Sequence, residues 1–108
     1  MNKAVGAQWL ADLRSGKYKQ AYEVLAKNDC YCCLGVLADQ YLESHNLGWD
    51  SFLDHRDEEG ETLPSCVVEW AGLTYENPKI LGRYLSEYND DTQLNFSEIA
   101  DLIEKHLL

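Results

Sequence analysis

The chain has 108 residues, 45% of them hydrophobic, with three Trp and seven Tyr; that is enough for one core and too little for two, so residues 1–108 read as a single domain. The formal charge is −10 and unevenly spread: residues 1–30 hold Lys3, Arg14, Lys17, Lys19 and Lys27 against Asp12, Glu23 and Asp29, which leaves −12 for the rest. Such a body repels nucleic acid and anionic lipid, and no run approaches the roughly 18 apolar residues of a membrane span, so direct nucleic-acid binding and membrane insertion are set aside in favour of a protein partner with a basic surface.

Asn2 is placed to cap a first helix, over residues 2–15, whose apolar Val5, Trp9, Leu10 and Leu13 recur at helical spacing and which Ser15-Gly16 ends. From Lys17 to Leu25, Tyr18, Gln20, Tyr22 and Val24 alternate as on a strand, although Tyr18, Tyr22 and Leu25 would also line a helix face; an extended segment is expected. Asn28-Asp29 is a turn, and Asp29 is a candidate cap for a second helix, residues 31–45, carrying Cys33, Leu34, Leu37, Ala38 and Tyr41. Gly35 falls inside that helix at a cost of roughly 1 kcal/mol relative to Ala, so another backbone or a Trp ring is expected against it.

Residues 48–62 read as an irregular charged stretch anchored by Trp49 and Phe52, with Asp57, Glu58, Glu59 and Glu61 at an exposed tip. Pro64 opens a short helix, residues 64–71, through Val67, Val68 and Trp70, closed by Gly72. Tyr75 to Pro78 is extended or turn, and a short amphipathic piece from Arg83 to Tyr88 is broken by Asn89-Asp90-Asp91. Asn95 and Glu98 form a capping box, with Leu94 and Ile99 as its staple, for a last helix, residues 95–107, that buries Phe96, Ile99, Ala100, Ile103 and Leu107. The expected fold is therefore mainly α, with α+β the alternative: about four helices round one core and at most a small β-hairpin from the 17–28 region. Trp9, Leu13, Leu34, Leu37, Trp70, Phe96, Ile99 and Ile103 are its expected core.

Three of four cysteines crowd into Cys30-Tyr31-Cys32-Cys33, ahead of Leu34-Gly35-Val36-Leu37. The N-terminus lacks a signal-peptide apolar region and reads as cytoplasmic, where thiols stay reduced. Buried small hydrophobes are the plain reading, Cys33 above all. A zinc site would need Cys66, His45 or His55 to complete a set begun by Cys30, Cys32 and Cys33, without the usual two-residue spacer between paired cysteines. A nucleophilic Cys30 or Cys32 at a helix N-terminus would need His55 or His106 as base, since His45 lies about 20 Å along the same helix. No cofactor is expected.

Leu13-Arg14-Ser15-Gly16-Lys17-Tyr18-Lys19-Gln20, Tyr31-Cys32-Cys33-Leu34-Gly35-Val36-Leu37, Leu63-Pro64, Glu69-Trp70-Ala71-Gly72-Leu73, and Asn89-Asp90 followed by Phe96-Ser97-Glu98-Ile99-Ala100-Asp101-Leu102-Ile103-Glu104 together resemble a group of short uncharacterised proteins of tailed bacteriophages and prophages. The chain departs from that group at Ala21-Tyr22-Glu23-Val24, where a glycine-bearing extended segment is the norm. The resemblance gives no residue a role, but a phage origin makes stoichiometric binding of host machinery the leading expectation: a small acidic accessory protein that inhibits a host nucleic-acid-binding or defence complex, in the manner of anti-CRISPR proteins, through Asp57, Glu58, Glu59, Glu61, Asp90 and Asp91. The alternatives are a small cysteine-dependent enzyme or metal module and a subunit of a phage particle or replication complex.

Overall fold

The computed structural model describes residues 1–55, 62–92 and 94–108, with the side chains of residues 53–55 outside that description. The first helix, α1 (Lys3–Arg14), starts where Asn2 Oδ1 accepts the Val5 amide at 3.0 Å, and it ends before Gly16, whose φ is 77°. It buries Gly6, Trp9, Leu10 and Leu13. Trp9 is fully enclosed, and its indole N–H finds the Cys33 carbonyl at 2.9 Å, so the large ring enters the core without an orphaned donor.

Residues 17–31 turn at Asn28-Asp29 as expected and form a small sheet in place of one extended segment over Lys17 to Leu25. Three two-residue strands, β1 (Lys19–Gln20), β2 (Ala26–Lys27) and β3 (Cys30–Tyr31), form a sheet in the order β1-β3-β2, with β1 parallel and β2 antiparallel to β3. Asn28 and Asp29 both take positive φ, 52° and 61°, the conformation of a two-residue hairpin turn, and this sends the chain back as β3. The next helix, α2 (Cys33–Ser44), therefore begins two residues later than its apolar pattern suggests and is capped by Cys32 in place of Asp29. Cys32 Sγ accepts the Gly35 amide at 3.3 Å, the bond a serine hydroxyl makes at this position. α2 is the core of the molecule: Cys33 to Ala38 are all buried.

A kinked 3₁₀ segment, Trp49–His55, turns at Phe52 and buries that ring, so the expected anchors of the charged stretch sit on a helical turn (Trp49) and at the kink between two (Phe52). The short helix α3 (Ser65–Ala71) ends on left-handed Gly72, as expected, but Trp70 is only partly buried because α3 lies at the periphery. A second hairpin, β4 (Lys79–Ile80) with β5 (Arg83–Tyr84), is absent from the sequence expectation. It leads directly into α4 (Leu85–Asp90), where Asn89 and Asp90 lie inside the helix they were expected to break. The last helix, α5 (Phe96–His106), carries the expected reciprocal cap, Asn95 Oδ1 accepting from Glu98 N at 2.9 Å and Glu98 Oε1 from Asn95 N at 3.1 Å. It packs on α1, and Arg14 donates across that seam to Asp101 at 2.7 Å and Glu104 at 3.3 Å. The architecture is mainly α with small sheets of two and three strands. Among the described residues no helix is long and apolar enough to cross a membrane.

Candidate functional site

The cysteine-rich segment folds into the core. Cys32 and Cys33 are fully buried, Cys30 is partly covered on β3, and Cys66 is exposed at the start of α3. The Cys33 thiol points at the Leu85 carbonyl at 3.8 Å. Among the described residues no three His, Cys, Asp or Glu side chains group as metal donors.

The Asp90-Asp91 turn is divided. Asp91 is an exposed helix cap, whereas Asp90 Oδ1 accepts from the Glu23 amide at 3.0 Å and from Asn89 Nδ2 at 2.7 Å. Asn89 is itself wholly buried: its Oδ1 accepts from Gln20 Nε2 at 2.9 Å and Cys33 N at 3.3 Å, and its Nδ2 also donates to the Ala21 carbonyl at 2.8 Å. One carboxamide thus ties α4 to the β1 region and to the start of α2, and Asp90 completes the arrangement. The other acids expected to meet a partner, Asp57, Glu58, Glu59 and Glu61, lie outside the described residues, as does the His55 side chain.

A row of rings, partly buried and partly open, runs along α2. Tyr18 meets Tyr31 edge-on at 5.1 Å; Tyr31 meets Trp49 at 5.8 Å; Trp49 meets Phe52 at 5.8 Å; and Phe52 meets Tyr41 at 6.0 Å. Tyr41 then stacks on His45 at 4.1 Å and meets Trp70 edge-on at 5.4 Å. Tyr18 and Phe52 are buried beneath this row, Tyr31, Trp49, Tyr41 and Trp70 are partly open, and His45 is exposed.

Asp39 pins the row from α2. Its Oδ2 accepts the Tyr18 hydroxyl at 2.6 Å and its Oδ1 accepts Trp49 Nε1 at 2.8 Å. Burial, then the hydrogen bond to Asp39 and the nearby charges of Asp39, Glu43 and Asp12, push the Tyr18 phenol well above the usual tyrosine range. At the far end, the neighbouring Cys66 thiol raises the Tyr41 phenol. Glu43 stands one turn beyond Asp39 and pairs with Lys17 at 3.5 Å, while Asp50, beside Trp49 in sequence, is exposed. Sequence reasoning singled out none of Asp12, Asp39, Glu43 or Asp50. The four-residue spacing of Asp39 and Glu43 on a predicted helix was the signal that could have found two of them.

α3 also borders an open groove of about 1400 Å³, which runs between it, the 72–78 loop, β4–β5 and the end of α5, lined by Val68, Leu73, Tyr75, Tyr84 and Leu107 among others.

No curated protein and no solved structure matches the chain. Residues 1–107 match the family model described as Domain of unknown function (DUF8296), and the chain belongs to that family.

Proposed function

We propose that the chain is a small accessory protein, phage-encoded as its sequence resemblance implies, that acts by stoichiometric binding to a basic surface on a host protein. A nucleic-acid-binding groove of a defence or transcription complex is the surface that fits it best. The observation carrying this reading is the ring row from Tyr18 to Trp70, with Asp39 bonded to Tyr18 and Trp49, and with Glu43 exposed one turn further along α2, in a chain of net charge −10. Partly exposed Tyr and Trp rings are the residues that most often anchor protein interfaces, because they bury large area with few rotatable bonds. A ring beside a carboxylate also suits Arg and Lys, which stack on one and pair with the other. In sequence, the acidic run Asp57 to Glu61 comes shortly after Trp49 and Phe52 and carries the same sign of charge.

The test is retention of basic proteins from a bacterial lysate on the immobilised chain, compared with a Glu43→Lys/Asp50→Lys variant and with a Trp70→Ala variant. Selective loss of the same retained protein in both variants, and its displacement by added duplex DNA, support the reading. Equal retention by parent and variants contradicts it.

A further inference from the structure

The β4–β5 hairpin closes on Leu81 and Gly82, both at positive φ, 52° and 81°, the primed turn whose first position ordinarily takes Asn, Asp or Gly. A branched apolar residue is strained there, and this one is also 75% exposed, the most exposed large hydrophobe among the described residues. The hairpin is cationic in an acidic molecule. Lys79 lies over the Tyr84 ring at 4.7 Å, Arg83 is exposed, and residues 79–84 hold no acid.

Beside the hairpin lies the groove described above, one edge of which is formed by Lys79 and Tyr84 of the hairpin itself. Val68, Leu73 and Leu107 supply an apolar floor, and Glu69 and Glu76 supply exposed carboxylates that make no ion pair among the described residues. Tyr75, 68% exposed, and Tyr84, 42% exposed, line the groove.

We infer that this face is a self-association surface, in which the hairpin tip of one copy enters the groove of a second copy. An apolar tip carrying Arg83 adjoins, on one molecule, an apolar groove that holds the exposed carboxylates of Glu69 and Glu76, so a single two-fold axis near Tyr75 and Tyr84 satisfies both at once and closes the assembly at two chains. Leu81 then fills the apolar floor, and Lys79 and Arg83 face Glu69 and Glu76 of the second copy. An anionic membrane is the less suitable occupant, because the remainder of the molecule is strongly negative. The net repulsion between two copies is reduced at about 0.15 M salt, where the Debye length is about 8 Å.

Sedimentation and light scattering across a concentration series at that salt test the inference. The parent is expected to pass from 12.4 kDa to twice that mass. Leu81→Asn suits the turn and keeps the fold, so it should raise the thermal midpoint of the monomer while weakening the dimer at least about tenfold. Lys79→Glu/Arg83→Glu and Glu69→Lys/Glu76→Lys should each be monomeric, and an equimolar mixture of the two should form a heterodimer. A parent that stays monomeric up to about 1 mM overturns the inference. So does a Leu81→Asn variant that dimerises like the parent, and so does a monomer that binds anionic vesicles through Leu81.

Discussion

The carbonyl oxygen of Leu25 occupies the place that a Cβ on Gly35 would take, with the Leu25 carbonyl carbon 2.8 Å from that position. The same oxygen accepts the Cys32 amide at 3.1 Å, so it cannot retreat without breaking the bond that sets the start of α2. Glycine is therefore used in the first turn of α2 because two backbones touch there. Gly35→Ala should destabilise the fold by on the order of 1 to 3 kcal/mol despite alanine's better helix propensity, read from the urea midpoint. A variant as stable as the parent would show that the contact yields freely.

Asn89 is the second such constraint. Asn89→Leu fits the helix but strands the Cys33 amide and the Ala21 carbonyl, each at a cost of about 1 to 3 kcal/mol when buried. Asn89→Asp keeps the shape yet sets a carboxylate against the Ala21 carbonyl and Asp90. Both variants should unfold at lower urea concentration than the parent with the slope of the transition unchanged.

The helix ends were legible where their hydrogen bonds are local. Asn2 caps three residues on, Asn95 and Glu98 cap each other, and Gly72 ends α3, and all of these are written in neighbouring residues. The start of α2 was not, because Cys32 replaces the usual oxygen cap and because Asn28-Asp29 turns the chain into a strand. The β4–β5 hairpin was hidden by a leucine in a position that normally announces itself with Asn or Asp. Asn89 and Asp90 resembled a polar break, since their partners, Gln20, Ala21, Glu23 and Cys33, are more than 50 residues away. The acidic character of the surface was plain in the composition. Its alignment with the ring row was not, because Tyr18, Tyr41, Trp49 and Trp70 meet only through the tertiary fold.

Tyr18 ties stability to alkaline pH. Its phenol is raised in the folded chain by burial and by Asp39, so its contribution is fully present below the unfolded tyrosine pKa of about 10 and is lost as pH rises from there toward the higher folded value. Urea midpoints should fall above about pH 10, and Tyr18→Phe should be less stable at neutral pH while showing a shallower alkaline decline. Identical alkaline slopes in parent and variant would remove Tyr18 as the cause.

The thiols should react in order of exposure. In the native protein Cys66 should label first with a thiol reagent and partly covered Cys30 more slowly, whereas Cys32 and Cys33 should label only as the protein unfolds. Mass spectrometry of partially labelled protein reads the order directly, and early labelling at Cys32 or Cys33 would mean that the core at the start of α2 opens readily.

Steering by charge is the centre of the functional account, and the association rate with the captured host protein, followed across salt concentrations, tests it most directly. Two variants are compared with the parent, Glu43→Gln/Asp50→Asn and Asp57→Asn/Glu58→Gln/Glu59→Gln/Glu61→Gln. The account predicts a parent association rate that falls steeply with salt, and variants that associate more slowly at low salt with dissociation rates changed far less. An association rate that is flat across salt, or unchanged in both variants, would contradict it.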